Sequence, residues 1–296
     1  MTACYTPNPA TKMMIQEKTR VNTSLCWSCS ACDSECPVFI GSSCLRPQKV
    51  LRMASLGLLE ELVGLPEIWY CLACKRCTQS CPNDCEPETI VGFLLKEAVR
   101  THLYSDETLA RYHEFYGRFQ RVRWKAAEMC LKGEDIEPLV ESNWQAWLEN
   151  PVGIQNGDVS LSELSHTKEF IGEAERSATA SCFNCSECTN SCPICFERNV
   201  FDPQRIFRMV NLGIEEEILR SPSIWLCISC QTCTNVCSQL VSGHVLIRGL
   251  QEMAAREGIV APEFSDRWKK TQRLLYPLFT REIDAIFGFD EKGRIL

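Results

Sequence analysis

The sequence predicts a mainly α protein built from two tandem modules joined by a helical connector. Three observations carry that expectation. Four runs share the spacing Cys-x2-Cys-x2-Cys-x3-Cys: Cys26-Cys29-Cys32-Cys36, Cys71-Cys74-Cys77-Cys81, Cys182-Cys185-Cys188-Cys192 and Cys227-Cys230-Cys233-Cys237. The second pair of runs repeats the first without a gap, so that Cys26, Cys71 and Cys81 map onto Cys182, Cys227 and Cys237, each 156 residues on. The segments between paired runs are punctuated as helices, with proline at the start and glycine at the end.

The repeat is more than its cysteines. Between 26–81 and 182–237, 22 of 56 positions are identical, and fourteen of those are not cysteine. Pro47, Gln48, Arg52, Met53, Leu56 and Gly57 return as Pro203, Gln204, Arg208, Met209, Leu212 and Gly213. Pro66, Ile68 and Trp69 return as Pro222, Ile224 and Trp225. That is duplication of a folded unit.

In chain order, residues 1–22 read as a flexible or partner-binding lead-in, with Cys4 a free surface thiol. The first module spans 23–103. Pro47 opens a helix that Gly57 ends, Leu58–Val63 forms a short second helix, and Pro87 opens a third through Val99. Residues 104–177 form a helical connector. Ser105 caps a helix with Asp106 and Glu107 in its first turn, and Leu109, Tyr112, Phe115 and Phe119 form its apolar stripe. Pro138 restarts a helix holding Trp144 and Trp147, which make contacts in the core or between subunits. Pro151–Gly157 reads as a linker. The second module spans 178–258. The tail, 259–296, is helical, with Trp268, Leu274, Leu275, Leu278, Ile283 and Ile286, and Pro277 interrupts it.

Composition limits the function. The chain has 296 residues, 45% hydrophobic and 23% charged, the range of globular proteins. A net charge of −7 argues against nucleic acid as a partner. No apolar run is long enough for a transmembrane segment, and the first twenty residues lack a signal-peptide core, so a cytoplasmic protein is expected. Twenty-one cysteines in such a chain point to metal rather than disulfides. Zinc sites pair their ligands and often use histidine; only four histidines exist and none lies within a run.

The run is the ligand run of a bacterial [4Fe–4S] ferredoxin, in which the fourth cysteine ligates the other cluster. Four [4Fe–4S] clusters follow. Cys26, Cys29, Cys32 and Cys81 are expected to hold the first, and Cys71, Cys74, Cys77 and Cys36 the second. Cys182, Cys185, Cys188 and Cys237 take the third, and Cys227, Cys230, Cys233 and Cys192 the fourth. No dinucleotide fingerprint, P-loop or catalytic triad accompanies them, so no catalytic residue is assigned and the chain reads as a wire. Cys188, Cys192 and Cys195 also show a radical S-adenosylmethionine spacing, set aside because two of them already belong to a run. Cys44, Cys85, Cys130 and Cys195 are read as extra thiols. Lys75 and Arg76 stand where the repeat has Gln231 and Thr232, and Asp33 and Glu35 where it has Thr189 and Ser191. A higher potential is therefore expected for the second cluster than for the fourth. Trp69 and Trp225 either shield a cluster or pack in the core.

A Cys run, Pro-Gln-Lys/Arg-x-x-Arg-Met-x-x-Leu-Gly, then Ile-Trp-x-Cys leading into a second run resembles the C subunit of heterodisulfide reductase. The resemblance implies an α-helical ferredoxin with two [4Fe–4S] clusters per module, similar to the cluster domain of succinate dehydrogenase and fumarate reductase iron–sulfur subunits. It further implies electron transfer between the flavin- and cluster-bearing A subunit of heterodisulfide reductase and its catalytic B subunit, in assemblies of anaerobic metabolism and sulfur oxidation. A membrane, quinone-linked partner is the alternative, with membrane association through partners. The chain departs from that pattern in carrying two modules, and in ending its last run Cys237-Ser238 rather than Cys-Pro.

Overall fold

A computed structural model describes residues 5–152 and 179–290. Cys4 and most of the expected linker, Gly153–Gly157, lie outside them. Among the described residues the regular structure is helical, with no strand. The chain divides into two compact units. One comprises residues up to His113 together with those from Arg273 onward; the other comprises Glu114–Gln272.

In the first unit the order is α1 (Pro9–Thr19), α2 (Ala31–Glu35), α3 (Pro37–Ser42), α4 (Pro47–Ser55), α5 (Leu59–Val63), α6 (Arg76–Gln79) and α7 (Pro87–Arg100). Prolines 37, 47 and 87 each occupy the first helical position, where a missing N–H costs nothing. Helix α4 buries Val50, Leu51, Met53 and Ala54 against α7. Gly57 follows at φ +74°, a conformation a side chain would strain, and a Cβ there would collide with the Asn8 carbonyl. That close approach seats α1, through a 2.8 Å bond from the Asn8 N–H to the Leu56 carbonyl.

The expected flexible lead-in is therefore wrong for Pro9–Thr19. It is a helix that packs on α4 and α7 and fully buries Ile15. The signal was present: Asn8 caps the helix by accepting from the Thr11 N–H, ahead of Pro9 at its first position.

The chain continues through α8 (Asp106–Lys132) and α9 (Ile136–Glu149). Ser105 caps α8 as expected, accepting from the Thr108 N–H. Helix α9 starts two residues before Pro138, because Asp135 caps it. The second unit then repeats the first with α10 (Glu187–Asn190), α11 (Pro203–Asn211), α12 (Glu215–Arg220), α13 (Thr232–Asn235) and α14 (Gly243–Arg256). The last helix is α15 (Phe264–Phe287), which runs on through Pro277 rather than stopping there. Proline inside a helix costs about 3 kcal/mol; burial of Leu275, Tyr276, Phe279 and Ile283 on one face offsets it.

Each unit is closed by a helix segment beyond its cysteine module. In the first, Tyr112 of α8 donates to the Trp69 carbonyl at 2.9 Å. Phe287 of α15 packs on the Trp69 ring at 4.3 Å, and the Tyr70 hydroxyl donates to Asp284. In the second, the Trp268 indole donates to the Trp225 carbonyl at 3.1 Å, and Phe264 packs on Trp225 at 4.3 Å. Tyr112 and Trp268 are again 156 residues apart, so the repeat extends into these long helices. Both tryptophans are buried, so they pack in the core.

Candidate metal centres

All four cysteine runs adopt one conformation. The residue two places after the first cysteine and the residue before each short helix are left-handed. These are Ser28 and Ser30 (φ 57° and 63°), Ala73 and Lys75 (50° and 59°), Asn184 and Ser186 (55° and 67°), and Ser229 and Gln231 (53° and 60°). None is glycine, and each such residue costs roughly 1–2 kcal/mol. Strain repeated at the same place in four loops marks a functional constraint. The turn also aims backbone N–H groups at sulfur: Ser28, Ala73 and Ser229 donate to Cys26, Cys71 and Cys227, each at 3.4 Å. Hydrogen bonds to cluster sulfurs are one of the levers that set cluster potential.

The third cysteine of each run lies on α2, α6, α10 or α13, and the fourth follows that helix. Cys36, Cys71, Cys74 and Cys77 line one cavity, together with Leu45, Leu72, Val91, Lys75 and Glu88. Burial, then the neighbouring Cys74, pushes the Cys71 and Cys77 thiols well up, and Cys36 adds to both. In the second unit burial raises Cys192, with Cys230 and Cys227 among its neighbours. The fourth cysteine of each first run thus faces the second run. In the other direction, the buried Cys85 has both Cys81 and Cys26 as neighbours. Cys29 and Cys185 are exposed in their loops, and Cys237 follows α13.

The donor set fits an iron–sulfur cluster. Burial raises the Cys32 and Cys233 thiols to about 12, and those of Cys188 and Cys227 to about 11. Bare thiolates are therefore disfavoured here, whereas metal coordination deprotonates a thiol outright. Among the described residues no three His, Cys, Asp or Glu side chains converge as they would on a single ion. A cubane binds each thiolate at a different iron and requires no such convergence.

The two cysteine runs in each unit differ in exposure. The residue after the first cysteine is 75% and 73% exposed in the first runs (Trp27, Phe183) but 3% and 8% exposed in the second runs (Leu72, Ile228). Cys29 and Cys185 are exposed, whereas Cys74 and Cys230 are buried. The first run of each unit thus has its leading loop at the surface, and the second has its leading loop inside.

The charges singled out in the runs have partners. Arg76 pairs with Glu35. Asp33 is buried, accepts from the Gln48 N–H at 2.8 Å and pairs with Arg46 at 3.2 Å. Lys75 is exposed, and Glu88, raised by burial, has Lys75 as a neighbour. Among the additional thiols, Cys130 exchanges a hydrogen bond with Thr271 at 3.2 Å, and Cys44 is exposed beside Thr280. The Cys85 N–H donates to the Cys81 sulfur at 3.4 Å. Cys195 is half-buried and raised to about 12 by burial and then by Asp202. Sequence reasoning missed Arg123, wholly buried on α8; an arginine inside an apolar stripe was the available signal.

Comparison with known proteins agrees with this geometry. Residues 22–85 and 178–241 each match the 4Fe-4S dicluster domain. The chain is 33% identical over 98 residues to the C subunit of the H(2):CoB-CoM heterodisulfide,ferredoxin reductase of Methanothermobacter thermautotrophicus, covering 32% of this chain and 52% of that one. It is 31% identical over 102 residues to the iron-sulfur C subunit of the CoB--CoM heterodisulfide reductase of Methanopyrus kandleri, covering 34% and 53%. The chain spans about half the length of these relatives. No solved structure matches, and no helix among the described residues is long and apolar enough to cross a membrane. Two stretches of the chain in tandem are thus similar to the 4Fe-4S dicluster domain, and the chain is similar to the iron–sulfur C subunits of heterodisulfide reductases.

Proposed function

We propose that the chain is an electron-transfer subunit holding four [4Fe–4S] clusters, bound by the crossed cysteine sets given above within the modules 23–103 and 178–258. Each cluster supplies a one-electron centre when bound. The chain's residues hold the clusters, exclude water from the second-run pair and offer the first-run pair at the surface. The carrying observation is the cavity shared by Cys36 with Cys71, Cys74 and Cys77. It supports crossed ligation and hence two adjacent centres per module. By similarity to the C subunits, the working partners are the flavin- and cluster-bearing protein and the catalytic protein of a heterodisulfide-reductase-like complex in the cytoplasm. No substrate site and no catalytic role are assigned to the chain itself.

Iron content and EPR of the anaerobically purified chain test this. About sixteen irons, as four clusters of the ferredoxin type require, with magnetically coupled reduced signals, support it. Four or fewer irons, or zinc, reject it. In Cys36→Ser the buried second-run cluster of the first module should be lost or altered, with the second module's signals intact. Loss of a first-run signal alone would overturn the crossing.

A further inference from the structure

Arg123 is 2% exposed. One guanidinium nitrogen donates to the Leu226 carbonyl at 2.9 Å, and the other to Gln120 Oε1 at 2.9 Å. Its Nε has no partner, and among the described residues no carboxylate lies within salt-bridge reach of it. A buried cation without a counter-charge is costly. Arginine cannot escape that cost by losing its proton. The carbonyl it holds belongs to the peptide that leads into Cys227, the first cysteine of the last run. The next residue, Trp124, ties the same turn by donating to Ser223, which in turn donates to the Val200 carbonyl. The guanidinium is thus fixed beside the fourth candidate centre.

The first unit lacks this cation. The residue 156 positions on from Arg123 is Phe279, fully buried and apolar. The ionisable groups at the corresponding turn include two acids, Asp284, which accepts from Tyr70, and Glu67. The cations near the second centre are of another kind: Lys75 is exposed, and Arg76 is paired with Glu35. Exposed charges are screened by water and salt, whereas a buried one acts through a medium of low dielectric.

We propose that Arg123 is the built-in counter-charge of the cluster held by Cys227, Cys230, Cys233 and Cys192, and that it raises that cluster's potential above its counterpart in the first module. The inference rests on the four-cluster reading. It reverses the order expected from loop charges alone, because one buried, unpaired cation outweighs two that are exposed or neutralised. Reduction adds one negative charge to the cluster and no proton to the arginine, so the fixed positive charge favours the electron directly. Electrons then collect in the inner centre of the second module. Arg123 is a positioning and tuning residue, not a catalytic one.

The test is an EPR-monitored redox titration of the full-length, cluster-loaded chain beside Arg123→Gln and Arg123→Lys. In Arg123→Gln, one cluster's equilibrium constant for reduction should fall at least tenfold, a shift of about 59 mV for one electron, while the other midpoints hold. Arg123→Lys should keep most of the wild-type value, because the charge remains. Unmoved midpoints in Arg123→Gln, or an equal fall in both variants, would show a purely structural arginine. Should Arg123→Gln lose iron, Arg123→Lys decides: a midpoint close to wild type supports the proposal, and a tenfold fall in the reduction constant with the charge still present overturns it. Wild-type protein without iron–sulfur clusters rejects the four-cluster reading first, which separates the two failures.

Discussion

The two modules place a carboxylate at the same point by different routes. In the first, Asp33 on α2 accepts from the Gln48 N–H at the start of α4 and pairs with Arg46. In the second, those positions are exchanged. Thr189 replaces Asp33 and Asp202 replaces Arg46, and it is Asp202 that accepts from the Gln204 N–H at 3.0 Å and from the Thr189 hydroxyl at 2.5 Å. Duplication has preserved an acceptor for the first N–H groups of a helix, not the residue that supplies it. Orphan N–H groups at a helix start require a partner, and a short cysteine-run helix must be pinned to the longer helix beside it. Either end of the contact can meet both needs.

This comparison can be broken by substitution. The largest effect is expected where the two units use one helix differently. Phe287→Ala should destabilise the first unit by about 3–5 kcal/mol through the Trp69 ring, and Phe264→Ala should do the same to the second through Trp225. Amide hydrogen exchange, read separately around 66–70 and 222–226, checks that each loss stays in its own unit.

Thr189→Asp comes next, because it sets a second buried carboxylate against Asp202 and should cost roughly 3 kcal/mol in urea unfolding. Adding Asp202→Arg recreates the first module's arrangement and should restore most of that loss. A double variant no better than the single would show that the two routes are not interchangeable. Asp33→Ala and Asp202→Ala should each cost about 1–3 kcal/mol, by an equal amount if the acceptor is the common element.

Smaller still is a pH effect confined to the first unit. Burial raises the Asp284 carboxyl above its ordinary value, Tyr70 counteracts this by donating to it, and Glu67 adds to the rise. A raised acid binds its proton more tightly folded than unfolded. Its contribution is therefore complete below the unfolded value, about 4, and is lost as pH rises through the folded one. Asp284→Asn should flatten that fall, seen as a urea midpoint that varies less with pH than in wild type. The smallest effect belongs to the partly exposed Arg76–Glu35 pair. Arg76→Thr should change stability by no more than about 1 kcal/mol, as measured by the same unfolding curves.

The helical character, the repeat and the helix starts at Pro47, Pro87 and Pro203 were legible because each rests on local chemistry that proline and glycine announce. The cysteine spacing was legible for the same reason. What escaped was set by distant partners. Pro277 carries a local signal to stop, overridden by a buried face that includes Tyr276, whose ring a Cβ on Gly41 would strike. Nothing near Tyr70 announces Asp284, 214 residues away. Asp33 reads as a cluster-tuning charge in sequence, yet its carboxylate is occupied with the start of α4. Arg123 stands out in sequence only as an arginine on an apolar stripe, and nothing near it announces the Leu226 carbonyl, 103 residues away.

The first unit takes Asp284 and Phe287 from residues that follow the whole of the second unit in sequence. During synthesis, the first two cysteine runs leave the ribosome long before the side chains that close over Trp69 and Tyr70 exist. Iron delivered early would meet a half-finished shell. Closure of the first unit therefore has to wait until Asp284 and Phe287 have been made, and a substitution at either would damage the first unit from beyond the second in sequence.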